Sequence, residues 1–383
     1  MQTRKLYYEN SHQVEFSARV LSCQETPKGW QIVLDATCFY PEGGGQACDL
    51  GTLGDATVLD VQEKEEQILH LCDKPLETGA TVTGRIDWDR RFDLMQQHSG
   101  EHILSGLIHK RFGYHNVGFH IGNQIMEVDF DGPITPEQLA DLELQANEAI
   151  WQDFAPVCEF PPEDLLPTIP YRSKKALEYP VRIVTFPGYD ICACCGIHVA
   201  HTGQIGLIKV LSCVKFHQGV RLEMVCGRRA YSYLDRVYEQ NRQVSQQFSA
   251  KILETGEAAR RINQQLSDEK FRSTGLQKRL FGFIAAGYAD QGNVLHFEEA
   301  LAPVQVRELA DAIAKTCTGT AAVLSGTDET GYSLCLIGPG AKDKGTAMTQ
   351  AFSGRGGGKP DAFQGSLPAK KAQIESFWQE KCL

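Results

Sequence analysis

The stretch "MQQHSGEHIL", residues 95–104, places two histidines four apart with a glutamate just before the second. On a helix, residues four apart lie on one face with Cβ atoms roughly 5–6 Å apart, so His98 and His102 can grip one metal ion. A second pair at the same spacing follows in "CCGIHV", where Cys194 and His198 form C-x-x-x-H and Gly196 lets the turn between them curl. Three imidazoles and a thiolate make a complete donor set for Zn²⁺. Cys192 and Cys195 compete for the Cys194 position. Cys213 and His217 are also four apart, but in a strand-like run, where the rise per residue separates them by roughly 13 Å. The pattern H-x-x-E-H is shared with one class of zinc peptidases, in which Glu101 would act as general base. Zinc-dependent hydrolysis and a closed structural zinc draw on the same residues.

The elements that must hold these side chains follow from the pattern. Residues 14–85 alternate apolar and polar in short runs separated by Gly, Pro and Asp, which predicts a small antiparallel barrel or sandwich. Within it, "FYPEGGGQACDLGTL" sets Gly43, Gly44 and Gly45 in an unusual loop. Residues 91–112 read as a helix with Phe92, Met95, His98, His102 and Leu107 near one face. A second helix, 135–153, opens on Thr135 as N-cap with Pro136 at the first position. Strands "IGLIKVLSCVKF" and "GVRLEMVCG" complete an α+β region.

Residues 229–280 have no proline and an imperfect 3–4 apolar spacing, which predicts a long coiled-coil-like helix or helical hairpin broken at Gly256. The remainder, 281–383, reads as an α/β region ending in a glycine-rich loop, "FSGRGGGKPDAFQGS".

The chain has 383 residues, 42% apolar and 22% charged, as expected of a globular protein with two or three domains. Its net charge of −10 argues against nonspecific coating of nucleic acid but leaves room for a local basic patch. Residues 227–280 are that patch, with 11 basic against 6 acidic side chains, among them Arg228, Arg229, Arg260, Arg261, Lys278 and Arg279. Thirteen cysteines in a chain of this length, with no apolar leader at the N-terminus, fit a cytoplasmic protein whose thiols stay reduced.

"MQQHSGEHIL", "CCGIHVAHTGQIGLIKV" and "FYPEGGGQ" together resemble the editing domain of alanyl-tRNA synthetases and their free-standing relatives, the AlaX proteins. The order and separation of the motifs agree with that family. "GRGGGKPDAFQGS" resembles the glycine-rich loop of the DHH-associated domain that ends the long AlaX proteins. The resemblance implies an α+β chain of four parts: a glycine-motif β-barrel at 1–90, a zinc-dependent editing domain at 91–228, a helical or coiled-coil linker at 229–280 and a DHH-associated domain at 281–383.

It further implies a zinc on His98, His102, Cys194 and His198. Gln46 and Glu101 would be catalytic. Gly43, Gly44, Gly45 and Ile197 would meet the substrate, and Arg355, Gly356, Gly357, Gly358 and Lys359 would meet RNA. The implied activity is deacylation in trans of seryl- or glycyl-tRNA for alanine; separately, the coiled-coil-like character of the 229–280 helix predicts homodimerisation through it. The family usually has C-G-G-T-H-V; here the middle is Cys195, Gly196 and Ile197, and Ile197 in place of the threonine removes a hydroxyl near the metal. The residues before His98 leave no room for an aminoacylation domain, and "GPGAKDKGT" lacks a P-loop ending, which favours hydrolysis over ligation. A zinc peptidase and a non-catalytic tRNA-binding protein with structural zinc are the alternatives. The peptidase leaves Cys194, His198 and the G-G-G-Q loop without a role.

Overall fold

The computed structural model describes residues 2–173 and 177–382, and the chain divides into two compact units, Met1–Gln243 and Val244–Leu383. It is a mixed α+β protein with eight helices among the described residues.

The first unit begins with β1 (Arg4–Lys5), α1 (Leu6–Glu9), β2 (Glu15–Thr26), β3 (Gly29–Leu34), β4 (Ala36–Thr37), β5 (Gly51–Leu53), β6 (Ala56–Lys64), β7 (Gln67–Cys72) and β8 (Thr81–Ile86). Six of these strands pair antiparallel in the order β2-β3-β7-β6-β5-β8, and β8 returns to β2, so the sheet closes on itself. The period-2 alternation explains the closure. In β2, Phe16, Ala18 and Val20 point inward while Glu15, Ser17 and Arg19 face water. Ile32, Leu34, Leu53, Val58, Val61 and Ile68 fill the interior from the other strands. His70 is buried among them, with Nε2 2.9 Å from Thr37 Oγ1 and Nδ1 3.1 Å from the Ile32 carbonyl.

Next comes α2 (Trp88–Phe112), capped by the Asp87 side chain, which accepts from the Arg90 amide, and closed by Gly113 in the left-handed region. The sequence places its apolar residues near one face. In the structure the helix is buried all round from Leu94 to Ile108, so Gln96, Gln97, His98, Ser99, Glu101, His102 and Ser105 are inside the protein. Buried polar groups need partners, and the partners of this helix define the site described below. Arg91, fully buried, ties the helix to the closed sheet: its Nε donates to Asp49 at 3.0 Å and its Nη1 to the Ser11 carbonyl at 2.9 Å.

Around α2 lie β9 (Asn116–Ile121), β10 (Met126–Phe130), α3 (Pro136–Trp151), β11 (Val157–Glu159), β12 (Ile183–Phe186), β13 (Asp190–Ala193), β14 (Ile208–Phe216) and β15 (Gly219–Cys226). They form one sheet in the order β14-β15-β10-β9 and a second in the order β11-β12-β13. In α3, Thr135 and Gln138 form a capping box, and Leu142, Ala146, Ala149 and Ile150 make the buried stripe. Each large side chain in that stripe contributes about 1.5–3 kcal/mol by burial. Helix α4 (Gly227–Gln247) follows, with only Gly227 and Ala230 buried.

The second unit holds α5 (Thr255–Ala286), β16 (Val294–Glu298), α6 (Pro303–Ala314), β17 (Ala321–Thr327), β18 (Gly331–Ile337), α7 (Ala341–Ala351), β19 (Arg355–Lys359), β20 (Ala362–Leu367) and α8 (Lys371–Lys381). Its sheet runs β16-β17-β18-β20-β19, with β16 parallel to β17 and the rest antiparallel.

Two expectations change here. The helical break falls between Gln247 and Thr255, not at Gly256, which lies inside α5. Ser245 produces the earlier stop: its carbonyl accepts from the Ala250 amide while its hydroxyl donates to the Ala250 carbonyl. "RGGGK" is not a loop but the exposed edge strand β19, because Gly356 and Gly358 must pass close to Phe363 and the Ala362 carbonyl of β20. Among the described residues, no helix is long and apolar enough to cross a membrane.

Candidate metal centre

The long helix α2 delivers His98 and His102 one turn apart, their rings stacked with centroids 5.2 Å apart. The turn after β13 delivers Cys194 and His198. One donor atom from each of the four residues falls in a cluster in which all lie within 4.8 Å of one another. The Cys194 Sγ is 3.4 Å from His98 Nε2.

Each ring is fixed by what its other nitrogen touches. His98 Nδ1 lies 2.9 Å from Gln46 Oε1, and His102 Nδ1 lies 2.8 Å from Asp190 Oδ2. His198 Nδ1 lies 3.4 Å from Ser99 Oγ. An imidazole that donates from Nδ1 presents a lone pair at Nε2, the form a metal takes. The Nε2 atoms of His102 and His198 are buried with no hydrogen-bond partner among the described residues. Two orphaned, buried acceptors facing a thiol are costly in isolation and are satisfied by a cation of zinc size, with bonds of about 2.0–2.3 Å.

The electrostatics point the same way. Burial pushes the Cys194 thiol well up, with the neighbouring thiols Cys195 and Cys192 adding to it. Burial likewise pushes His198 well down, with His102 and His98 adding to it. Burial alone would raise Asp190, but hydrogen bonds from His102 and Arg172 outweigh it and hold the carboxyl at about 2. Arg172 grips the same carboxylate with two bonds, Nε to Oδ1 at 2.7 Å and Nη2 to Oδ2 at 2.8 Å.

The backbone of the ligand turn is clamped. Arg182 Nη1 donates to the carbonyls of Cys194 (3.0 Å) and Gly196 (2.7 Å), and the Tyr8 hydroxyl donates to the Cys195 carbonyl at 2.8 Å. A Cβ at Gly196 would sit 2.2 Å from the His98 ring, so only glycine lets the turn approach α2 this closely.

The Gly43–Gln46 segment is a tight turn in which the Gly43 amide donates to the Gln46 carbonyl at 3.0 Å and the Gln46 amide returns the bond at 2.9 Å. Gly44 and Gly45 adopt left-handed φ of 58° and 81°, and a Cβ on Gly45 would strike Phe119 at 2.4 Å. The Gly43 amide is therefore used within the turn, while Gly44 and Gly45 line a cavity of about 1200 Å³. His98, Glu101, His102 and Cys194 line the same cavity, with Tyr8, Phe119, Arg172 and Arg182.

Of the other residues singled out in the sequence, Glu101 and Ile197 lie beside the cluster and the basic residues lie elsewhere. Ile197 is fully buried in the core, and its amide points at Gln46 Oε1 at 3.4 Å. Glu101 accepts hydrogen bonds from Ser105 and Asn116. Arg355–Lys359 lie on β19 in the second unit, all exposed. Arg229 is engaged within the protein, by Asp93 at 2.6 Å and the Gly122 carbonyl at 2.7 Å, and Arg228 reaches Asp89 at 3.1 Å. Asp190, Arg172 and Ser99 were not legible as site residues, because each acts through a neighbour brought close only by folding.

Comparison with known proteins matches residues 3–90 to the model for class II (A) tRNA synthetases and residues 181–223 to the threonyl and alanyl tRNA synthetase second additional domain. An alanyl-tRNA editing protein Aarsd1 of Mus musculus is 28% identical over 98% of this chain and 97% of its own length. Its counterpart from Danio rerio is 26% identical over 96% of this chain and 95% of its own length. An alanine–tRNA ligase of Pyrococcus abyssi is 30% identical over 98% of this chain, which spans 43% of that enzyme. Both domain models match in order, and over nearly its whole length this chain is similar to alanyl-tRNA editing proteins, which it covers almost from end to end.

Proposed function

We propose that this chain is a tRNA-editing hydrolase acting in trans, which cleaves the ester linking a wrong amino acid, serine or glycine, to tRNA for alanine. The observation that carries the reading is the convergence of three imidazoles and one thiol, each ring nitrogen outside the cluster already held by Gln46, Asp190 or Ser99. His98, His102, Cys194 and His198 would hold zinc. Bound there, zinc supplies a Lewis acid for the ester carbonyl or for water.

The chain's own residues do the rest. Gln46 orients His98, and Asp190, itself gripped by Arg172, orients His102. The cavity beside the cluster has room for an aminoacyl-adenosine, with the Gly44–Gly45 backbone in its wall. Ile197, buried in the core, would affect the amino acid through the shape of the ligand turn. In the second unit, Arg355 and Lys359 on the edge of a DHH-associated-type sheet would meet phosphates, with Gly356–Gly358 allowing close approach. Tyr231, Leu234 and Tyr238, exposed along α4, support pairing of two copies through that helix.

Four protein ligands also suit a structural zinc. Three of the four, His98, His102 and Cys194, line the cavity, which favours access by substrate. The test is deacylation of seryl-tRNA for alanine by the wild-type chain and by Cys194→Ala, with zinc content measured in parallel. Deserylation lost together with zinc supports the proposal. Stoichiometric zinc with no activity on seryl- or glycyl-tRNA overturns it.

A further inference from the structure

Glu101 has a position that a metal-ligand role does not explain. It sits on α2 between the two histidines, is 5% exposed, and lines the cavity with them. Four carboxylates line that cavity among the described residues: Glu63, Glu66, Glu101 and Glu178. The other three are exposed, and Glu63 is paired with Lys5 at 2.6 Å. Glu101 is the buried one beside the ligand cluster. Its donors are neutral, the Ser105 hydroxyl and the Asn116 amide, both 2.5 Å from the same oxygen, Oε1. Among the described residues, Oε2 accepts no hydrogen bond. Neutral donors orient a carboxylate without cancelling its charge. Arg172, in the same cavity wall, interacts with Glu101 electrostatically but gives its hydrogen bonds to Asp190, so the buried carboxyl group can still receive a hydrogen-bonding cation from the cavity.

We propose that Glu101 is the receptor for a primary ammonium group on the substrate, the α-amino group of the aminoacyl ester. The inference rests on the reading of the cavity as an aminoacyl-ester site. An aminoacyl ester carries one positive charge, on the nitrogen next to the reacting carbonyl. Holding that nitrogen beside His98 and His102 fixes the carbonyl near the donor cluster. Ser105 and Asn116 act as positioning residues, setting the rotamer of Glu101. Esters of α-hydroxy acids, or of acids with an acylated nitrogen, would fit sterically but leave the carboxylate without its cation. The site would thus read the presence of a free amine as well as the side chain.

The experiment compares two non-hydrolysable probes, 3′-deoxy-3′-serylamido-adenosine and the same compound with the α-amine replaced by hydroxyl. Each is titrated by calorimetry into zinc-loaded wild-type protein and into Glu101→Gln, which keeps shape and hydrogen-bond acceptance but loses the charge. Wild type is expected to bind the amine about tenfold to a hundredfold more tightly than the hydroxyl compound, the scale of a charged hydrogen bond. Glu101→Gln is expected to bind the two alike, with zinc content unchanged. Equal binding of both probes by wild type overturns the inference even if the variant fails to fold. Should wild type deacylate seryl-tRNA with no preference for the amine, this inference alone fails. Should it neither deacylate nor bind either probe, the reading of the site fails as well. Equal loss of both probes in Glu101→Gln would make the residue structural and also overturn the inference.

Discussion

His102 Nδ1 lies 2.8 Å from Asp190 Oδ2, and Arg172 holds the far side of the same carboxylate at 2.7 Å. The pair determines which nitrogen of His102 faces the cluster. Asp190→Asn keeps the shape but removes the charge that favours the Nδ1–H form. We expect zinc affinity to fall about 10–100-fold, measured by competition with a chromophoric chelator, while far-UV circular dichroism stays that of the folded chain.

Removal of the metal should destabilise the first unit, since the donors converge only in the folded state. With zinc at a thousandfold excess over its dissociation constant, linkage adds about 4 kcal/mol. Thermal unfolding with a chelator should begin at lower temperature than with zinc, and readdition should restore it. An unchanged melting profile would mean that the four residues do not hold a metal.

Asp49→Asn leaves the fully buried Arg91 without its counter-charge. Breaking one side of a buried pair costs about 3–5 kcal/mol. Urea unfolding should show a loss of that size, larger than for Asp55→Asn, whose carboxylate is exposed and pairs only at the surface with Lys74.

His70 provides a pH signature away from the site. Burial lowers it to about 4, against an ordinary value of 6.5, the Ile32 carbonyl opposing the shift. Between those values the unfolded chain binds the proton and the folded chain does not. Stability is therefore complete above pH 6.5 and declines by about 3 kcal/mol as the pH falls to 4. In chelator-treated protein, the difference between wild type and His70→Gln in urea unfolding should change with pH over this window. A constant difference between pH 7 and 4 would exclude the effect.

If β19 meets phosphates, Arg355→Ala and Lys359→Ala should each lower the slope of log affinity for tRNA against log salt by about one. Filter binding at several salt concentrations would measure it, and an unchanged slope would remove this strand from the RNA interface.

The pairs His98/His102 and Cys194/His198 were legible because helical and turn geometry makes a four-residue spacing mean proximity. The strand alternation in residues 14–85 and the Thr135 cap were legible for the same local reason. What surrounds the ligands was not. Asp190 meets His102 across 88 positions of sequence and Gln46 meets His98 across 52, and no local pattern encodes either contact. The full burial of α2 was hidden too, since the spacing shows which residues share one face and not what covers the rest of the helix. "RGGGK" read as a loop because glycine is rare in strands, yet here it lets β19 lie against β20.

The turn that carries Cys194 and His198 is made well after α2, and the partner of His98, Gln46, lies in a segment made earlier still. A nascent chain therefore holds the full ligand set only after His198 has been made. On the proposed reading, reactivity toward esters would arrive only once residue 198 is in place, and a chain released before Cys194 would carry His98 and His102 alone, half of the donor set.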